Sequence, residues 1–311
     1  MHGKYLFIGH GRGVRRRQRP AWESELTAKT TTLPKPAPLA PASDDAGHQS
    51  QLAHAGELDS VESEPVLLLG AGSVGGRIAQ EFARYGLHMD VVDPDTVDTA
   101  NLVGGRTVYR RADRGQLKVE ALQALVEPRH LSARITPYPY RLEAMPDAEV
   151  VRLIDRCRLA VVAIDHPPSL LRFNALVHQR KPAIYIGIHR GGCSGHVVIS
   201  EPSGPCLRCS LGLGDGSGQQ IESLSAEPAW GFDIARVSDM AAWMGMSLLL
   251  EQVQGRPLNR WDRSKSIVYV TNQVDEASPD GPGHHWEPSQ PDPTCPVCGQ
   301  DNERSVHDAR L

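Results

Sequence analysis

Three glycines and one aspartate in the first half of the sequence have the types and spacing of a nucleotide site. The segment VLLLGAGSVGG places Gly70, Gly72 and Gly75 directly after a short apolar run. At a turn from strand to helix, the first glycine permits a tight turn, the second lets a phosphate approach the backbone, and the third lets the helix pack closely on the strand. Asp93 follows about 20 residues on, where a carboxylate can accept hydrogen bonds from ribose hydroxyls. The pattern predicts nucleotide binding and leaves open which nucleotide is bound.

Four of the six cysteines form two C-x-x-C pairs, which is the spacing of metal-binding knuckles. Cys206 pairs with Cys209 and Cys295 with Cys298, each in a turn that contains proline or glycine. Four thiolates complete a closed tetrahedral zinc site, which leaves no position open for catalysis. Such a site would join the carboxy-terminal segment to the body of the protein. A redox dithiol is the alternative for one C-x-x-C pair, and two pairs disfavour it.

The elements that must position these residues alternate between short apolar strands and helices. VLLLG is typical of a strand buried on both faces, and SVGGRIAQEFARYG has apolar residues at helical spacing. HMDVVD then predicts a second, parallel strand. The other predicted strands are ARITPYPYRL, LAVVAID, PAIYIGIH, GHVVISEP and SIVYVTNQ, and the other predicted helices are GQLKVEALQALVEP, DAEVVRLIDRC, PPSLLRFNALVHQRK and SDMAAWMGMSLLLEQVQG. This alternation predicts an α/β fold with a Rossmann-like, doubly wound and mostly parallel sheet.

The composition divides the chain into a tail and one domain. From about Trp22 to Pro65 the chain is rich in Ala, Pro, Ser, Thr and acids, and such a segment buries too little apolar surface to offset its ordering entropy. We therefore expect a disordered, low-complexity extension over 1–62. A single nucleotide-binding domain is expected over 63–300, and a short tail over 301–311.

Charge and hydropathy limit the surroundings in which the protein works. The formal net charge of −4 gives no global basic field that would attract nucleic acid or a membrane surface. No apolar run is long enough to span a membrane, and the amino terminus does not resemble a secretory signal. Because the paired cysteines indicate metal binding in a reducing compartment, we expect a cytoplasmic protein with no nucleic-acid or membrane partner.

Six short motifs in order resemble the MoeB/ThiF family, the bacterial relatives of the ubiquitin-activating enzymes. The resemblance runs from about Pro65 to Gln300. It comprises the nucleotide loop VLLLGAGSVGG, the acidic strand end VVDPDTVDTANL, the helix start GQLKVEAL, the strand end VVAIDHPPSLLRFN, and the knuckles GPCLRC and CPVCGQ. The order and spacing of all six are more specific than any one of them.

The resemblance implies an adenylyltransferase that activates a carboxylate with ATP and Mg²⁺. Its usual substrate would be the C-terminal glycine of a small ubiquitin-like or sulfur-carrier protein, and pyrophosphate would be released. By resemblance, Lys118 neutralises the phosphates, Asp165 holds Mg²⁺, and Asn101 hydrogen-bonds a phosphate or the acyl group. Asp95 belongs to the acidic strand end and is assigned with Asp93 to the nucleotide. Negative charge builds on the phosphates, so such a site needs cations rather than a base.

The sequence departs from the family pattern at its arginines. The run NLVGGR has Gly104 where the family commonly has an arginine at the phosphates, and we expect Arg106 to replace it because the two glycines allow the loop to bend. After Asp165, Leu170 occupies another common arginine position, and Arg172 follows two residues later. No residue is assigned to the arginine that the family places before its first strand.

The two remaining cysteines bear on whether a thioester forms. Some family members have a nucleophilic cysteine in the crossover loop, but residues 210–238 contain none. That loop is predicted to be a flexible crossover that can cover the carrier's tail. We expect Cys157 to be buried and inert. Cys193 follows His189 and Arg190 and precedes His196, a setting that can lower a thiol pKa and produce a nucleophile. A loop cysteine without a chemical role is the favoured interpretation.

Two other functions are also compatible with the sequence. A glycine pattern with a ribose acid also suits an NAD(P)-dependent Rossmann oxidoreductase, and the missing arginines suit an inactive binding scaffold of the same family. The zinc pair, Lys118 and Asp165 favour the adenylyltransferase. Because family members of this kind pair, we expect a homodimer, with the Met-rich helix 239–254 as a candidate contact.

Overall fold

A computed structural model describes residues 60–130, 132–213, 229–274 and 281–299 of the protein. These residues form one eight-stranded sheet in the order β3-β2-β1-β4-β5-β6-β7-β8. Strands β1 to β5 are parallel, and β6, β7 and β8 continue the sheet as antiparallel strands. The strands are Pro65–Leu69 (β1), His88–Val92 (β2), Arg134–Tyr138 (β3), Leu159–Val162 (β4), Ala183–Ile188 (β5), Ser194–Ser200 (β6), Lys265–Thr271 (β7) and Gly283–Pro288 (β8).

Helices cover both faces of the sheet. They are Ser73–Ala83 (α1), Lys118–Val126 (α2), Asp147–Arg156 (α3), Pro167–Val177 (α4), the short Leu207–Ser210 (α5) and Gly231–Gln254 (α6). Short 3₁₀ turns lie at Ala100–Leu102, Arg111–Asp113, Leu142–Ala144 and Arg190–Gly192. The mostly parallel α/β fold predicted from the sequence is thus confirmed.

The alternating side chains of β1 explain why the sheet has two apolar cores. Val66 and Leu68 pack in the core that contains α1, α2 and α6, whereas Leu67 and Leu69 pack in the core that contains α3 and α4. Successive side chains of a strand point to opposite faces, so a continuous apolar run such as VLLL is buried on both sides. The carboxyl ends of β1, β2 and β4 therefore meet at one edge between the two helical layers.

Two elements differ from the sequence predictions. Helix α6 begins at Gly231, so the carboxy-terminal part of the crossover predicted as a flexible loop is helical. Strand β8 was not predicted, and it forms because its backbone pairs with β7, including Trp286 opposite Val268. Pairing of this kind depends on a distant strand, so local periodicity does not indicate it.

The ends of the predicted domain lie at the limits of the described residues. The predicted disorder of 1–62 falls outside them for residues 1–59, as do the tail 301–311 and residues 214–228 of the predicted crossover. Val61, just before the predicted boundary, is fully buried in the core on the α1 face. Among the helices of the described residues, none combines the length and the apolar character needed to cross a membrane.

Gly75 provides a test of how closely α1 must approach β1. A Cβ atom at Gly75 would lie 1.9 Å from the carbonyl oxygen of Gly70, which is backbone and cannot rotate away. We expect Gly75→Ala to lower the free energy of unfolding by about 3 kcal/mol or more, the upper range for overpacking. Equilibrium urea unfolding measures this change.

Gly72→Ala is the matched control, because a Cβ atom there has no neighbour within 4 Å. It should cost less than about 1 kcal/mol, the scale of an N-cap change. Equal losses in the two variants would contradict the close approach of helix and strand.

Candidate active site

A cavity of about 330 Å³ opens at the carboxyl edge of the parallel strands. Every residue that the sequence assigned to the nucleotide or to catalysis lines it, with the exception of Gly75, which packs beneath Gly70. Those lining residues are Gly70, Gly72, Asp93, Asp95, Asn101, Arg106, Lys118 and Asp165. The loops that carry them follow β1, β2 and β4, which is where open parallel sheets bind ligands.

The N-terminus of α1 is open toward this cavity. Gly72 is its N-cap, no side chain caps the helix, and no acidic residue occupies its first turn. A side chain at Gly72 would meet no atom within 4 Å, so a ligand can approach the backbone there. The free N–H groups and the positive end of the helix dipole therefore provide an anion site.

The carboxylate of Asp93 holds the glycine turn against the end of β2. Its Oδ2 accepts a hydrogen bond from the N–H of Ala71 at 2.7 Å, and its Oδ1 accepts one from the N–H of Asp95 at 2.8 Å. Burial raises the pKa of Asp93, opposed by the charge of Lys118 and by these two N–H groups. Each carboxylate oxygen can accept more than one hydrogen bond, so the predicted contact with ribose hydroxyls is still available.

Lys118 is buried and forms an ion pair across the cavity wall. Its Nζ lies 2.8 Å from Oδ2 of Asp95, whose carboxylate is about half exposed. The backbone also joins the two residues, because the N–H of Lys118 donates to the carbonyl of Asp95. Tyr109 fixes the start of the same helix, since its hydroxyl donates to the carbonyl of Ala71 at 2.5 Å and lies 3.2 Å from that of Lys118. Asp95 thus orients the lysine that the sequence assigned to the phosphates.

Arg106 and Asn101 lie in one loop beside α1. Gly104 and Gly105 both have positive φ, of 69° and 63°, and the loop bends there so that Arg106 lines the cavity. The Nε of Arg106 is buried and has no hydrogen-bond partner within the described part of the chain. Asn101 uses its Oδ1 to accept from the N–H of Asp98, which leaves its amide N–H₂ group available. The cavity therefore has an unpaired cation of the kind that an anionic ligand requires.

Asp165 follows β4 as an exposed carboxylate at the cavity. Among the described residues it has no hydrogen-bond or ion-pair partner, which suits a cation ligand. Arg172 does not reach the cavity lining; it binds Asp147 and the carbonyls of Leu142 and Met145 instead. Leu170, at the other departure from the family pattern, is buried in the α3–α4 core.

Several cavity residues were not singled out from the sequence. Glu143 and His166 come from the segments after β3 and β4 and lie in contact with each other, and the exposed Tyr140 and Arg141 line the same end. The contact joins residues that are distant in the chain, so no local signal marked it. The position of His166 next to Asp165 was the one available indication.

The two cysteine pairs meet, as their spacing predicted. All four sulfur atoms lie within 4.8 Å of one another, and Sγ–Sγ distances of 3.9, 3.6 and 3.3 Å separate Cys206 from Cys209, Cys206 from Cys295, and Cys209 from Cys298. A tetrahedral zinc ion with Zn–S bonds of about 2.3 Å places its ligands about 3.8 Å apart. The donor set and its spacing fit zinc. Asn174, also part of the family resemblance, accepts from the N–H of Leu207 at 3.0 Å and so fixes the first knuckle.

The other two cysteines have different surroundings from each other. Cys157 is buried, and burial raises its pKa to about 12, in agreement with an inert thiol. Cys193 is half-buried. The two histidines beside it hydrogen-bond each other, with 2.8 Å between Nε2 of His189 and Nδ1 of His196. Burial lowers the pKa of both, that of His196 to about 3, so at neutral pH neither supplies the positive charge expected to activate the thiol.

The dimer contact on α6 stays a prediction, but two of its methionines cannot contribute to it. Met244 and Met246 are buried in the core of the chain itself and are not available at a surface. The large apolar side chains that α6 and its N-cap expose are Trp230, Phe232 and Trp243. The first two stack with their ring centroids 6.1 Å apart.

The cavity is typical of a nucleotide-binding α/β protein. It combines an anion site at a helix N-terminus, a carboxylate at the end of the second strand, and cations. The ThiF family pattern matches residues 47–296. The chain therefore belongs to the ThiF family, as the sequence motifs indicated.

Related proteins agree with this assignment. The SAMP-activating enzyme E1 of Haloferax volcanii is 26% identical over 254 residues, which cover 79% of this chain and 84% of the relative. Escherichia coli MccB solved with MccA-N7isoASN superposes with a TM-score of 0.62 at 16% identity, covering 83% of this chain and 76% of MccB. MccB solved with ATP also gives a TM-score of 0.62. The MccB likeness shows the fold, and the family and the sequence relative confirm the predicted enzyme class, an adenylyltransferase of the ubiquitin-activating type.

The buried histidine pair predicts a loss of stability in acid. His196 has a native pKa of about 3, whereas an unfolded histidine titrates near about 6.5, so only the unfolded state binds this proton between those values. The contribution of His196 to the free energy of unfolding is therefore fully present above about pH 6.5. It is lost as the pH drops, by up to about 1.4 kcal/mol per pH unit. From pH 7 to pH 5 this residue should remove about 2 kcal/mol in urea unfolding.

A variant without the titratable ring isolates this contribution. His196→Phe should flatten the pH dependence by that amount, whatever its stability at pH 7. His284→Gln changes an exposed histidine and should keep the wild-type slope. An unchanged slope in His196→Phe would show that the ring is not buried in its neutral form.

Proposed function

We propose that the protein uses ATP to adenylate the C-terminal carboxylate of a small ubiquitin-like or sulfur-carrier protein and releases pyrophosphate. The observation that carries the proposal is the single cavity that gathers the open helix N-terminus, two cations and two strand-end carboxylates. The similarity to a SAMP-activating enzyme and to MccB, solved with MccA-N7isoASN and with ATP, is in accord with it. Family membership favours this activity over an NAD(P)-dependent oxidoreductase.

The cavity residues suggest how ATP would lie. The ribose would meet Asp93 at the end of β2, and the phosphates would meet the N-terminus of α1. Arg106, with its unpaired Nε, and Lys118, held by Asp95, supply positive charge on that side. Asp95 would keep part of the lysine's charge neutralised until a phosphate competes for it.

The reaction needs charge stabilisation rather than proton transfer. An oxygen of the carrier's carboxylate attacks the α-phosphorus, a new P–O bond forms, and the bond to the bridging oxygen breaks as pyrophosphate leaves with the electron pair. Arg106 and Lys118 would stabilise the growing charge on the phosphate oxygens. Asn101 would orient a phosphate or the acyl group through its free amide. Asp165 is the residue that would hold Mg²⁺, which supplies further neutralisation of the phosphates when bound.

The four cysteines would hold one structural zinc ion. The cluster joins the segment at Cys206 to the carboxy-terminal segment at Cys295, and it lies apart from the residues that line the nucleotide cavity. A site with four thiolates has no open coordination position, so its role is to stabilise the folded chain.

A homodimer in the cytoplasm completes the proposal. The exposed stacked pair Trp230 and Phe232 offers an apolar contact in place of the buried methionines. The mass in solution at micromolar concentration tests the pairing, and a strictly monomeric mass would contradict it.

The exchange of labelled pyrophosphate into ATP, measured with a candidate carrier, tests the reaction. Asp165→Asn should lower the exchange rate by about 10²- to 10³-fold, the scale of one positioned electrostatic group, while ATP still binds. Arg106→Ala should lower it at least about tenfold, and both losses should appear in kcat more than in KM. Arg114→Ala removes an exposed arginine outside the cavity lining and should be silent.

The outcomes separate the alternatives. Exchange that is unaffected by either active-site variant would show that this cavity is not the site of reaction. ATP binding by the wild-type protein without exchange, across carriers that end in Gly-Gly, would support the inactive-scaffold alternative instead.

Metal analysis tests the zinc site independently of activity. The purified protein should contain about one zinc ion per chain, and Cys298→Ser should lose it and unfold at lower temperature. Cys193→Ser is the matched control, because Cys193 lies outside the four-cysteine cluster and should leave the zinc content unchanged. Full zinc occupancy in Cys298→Ser would contradict the four-thiolate set.

A further inference from the structure

A hydrogen-bonded group of three side chains lies at the cavity, formed by the segments that follow β3 and β4. Nδ1 of His166 is 2.7 Å from Oε1 of Glu143 and 2.7 Å from Oγ of Ser169. The hydroxyl of Ser169 also donates to the same Glu143 oxygen. Glu143 and His166 line the cavity, whereas Ser169 is buried in the first turn of α4. The proposed reaction gives this cluster no role.

The carboxylate determines which imidazole nitrogen carries the proton. The hydrogen bond from Ser169 lowers the pKa of Glu143, so this group is ionised and only accepts hydrogen bonds. Nδ1 of His166 lies against this carboxylate and therefore carries the hydrogen, so Nε2 is the ring nitrogen that can accept a hydrogen bond. Nε2 has no partner among the described residues, and the side chain is 53% exposed. The cluster therefore holds a free lone pair at the cavity.

The same geometry excludes a serine nucleophile. In a catalytic triad, one imidazole nitrogen faces the serine and the other faces the acid. Here Ser169 and Glu143 both lie against Nδ1, and the Ser169 hydroxyl donates its hydrogen bond to Glu143. The serine is also only 2% exposed, so no substrate carbonyl can reach it. Its contacts make it a support for the other two side chains.

Arg172 fixes the turn that carries Glu143. It donates to the carbonyls of Leu142 and Met145 on either side of that turn and binds Asp147 at the start of α3. The arginine that comes two residues after the family's common position therefore supports the wall of the cavity and does not bind phosphate directly. This anchoring keeps the acceptor in place before a ligand arrives.

The two ends of the cavity suit different parts of a nucleotide. Lys118 and the N-terminus of α1 belong to the helices on one face of the sheet. Leu142 belongs to the apolar core on the other face, and the partly buried Ile164 packs against that core. The side with Lys118 and the open helix N-terminus suits phosphates, and the side where a fixed acceptor lies beside Leu142 and Ile164 suits a base.

We propose that His166, held in one tautomer by Glu143 and Ser169, selects adenine by accepting a hydrogen bond at Nε2 from the 6-amino group. The inference rests on the proposed use of ATP and assigns the nucleotide specificity of that site. A base with a carbonyl oxygen at position 6 would place one acceptor against another and leave both unpaired, which disfavours guanine and hypoxanthine. His166 contacts the ligand, whereas Glu143, Ser169 and Arg172 are positioning residues.

Binding of two nucleotides that differ in this one group tests the proposal. The probes are the Mg²⁺ complexes of ATP and of purine riboside triphosphate, in which hydrogen replaces the 6-amino group. The wild-type chain should bind ATP about tenfold more tightly, the scale of one hydrogen bond. His166→Ala should lose this preference and bind the two equally, with its affinity for the purine analogue within twofold of wild type. Calorimetric titration measures the dissociation constants without requiring catalysis.

Further variants separate positioning from contact. His166→Gln can again present an acceptor and should recover part of the preference for ATP. Glu143→Gln can donate as well as accept, so it no longer fixes the tautomer and should reduce the preference at least threefold. His284→Ala, an exposed histidine away from the cavity, should keep the wild-type ratio.

The outcomes distinguish this proposal from the proposed function. If His166→Ala binds ATP with the wild-type preference, the selection of adenine by His166 is overturned and the use of ATP stands. If the wild-type chain binds both nucleotides equally, the selection of adenine by His166 is likewise overturned and the use of ATP stands. If the wild-type chain binds neither nucleotide, both proposals fail.

Discussion

The buried carboxylate of Asp93 joins the parts of the molecule on which the site depends. Its two oxygens accept from the N–H groups of Ala71 and Asp95, so the glycine turn after β1 and the loop after β2 are held in one arrangement. The N-terminus of α1 is aimed at the cavity through the first contact, and the partner of Lys118 is placed through the second. Burial raises the pKa of this acid, and the surrounding N–H groups and Lys118 oppose that shift.

Among the described residues, the positively charged groups of the cavity lack the partners that a polyanion such as a triphosphate would supply. Arg106 has an unpaired nitrogen, Lys118 is held by one exposed carboxylate, and the helix end has no cap. Each group would gain a partner when phosphates bind, and such groups stabilise a transition state because they are already in place. On the side of the α3–α4 core, His166 presents a fixed acceptor beside Leu142 and Ile164. The cavity therefore offers different partners to the phosphates and to the base of a nucleotide.

The sequence predicted most of the fold because short apolar runs and helical spacing are local patterns. It also predicted the glycine turn, the strand-end acids and the cations of the cavity, since such residues are brought together whenever parallel strands align. It did not predict β8, whose strand depends on pairing with β7, or the helical start at Gly231. The sequence did not predict the contact of Glu143 with His166 either, because their two loops meet only in the folded chain. The pairing of Asp95 with Lys118 likewise comes from tertiary structure.

A structure of the protein with a non-hydrolysable ATP analogue and Mg²⁺ tests the central claim most directly. The account predicts the ribose at Asp93, the phosphates at the N-terminus of α1 near Arg106, and the base within hydrogen-bond distance of Nε2 of His166. A nucleotide bound elsewhere, or one bound with its base among the cations, would contradict the account.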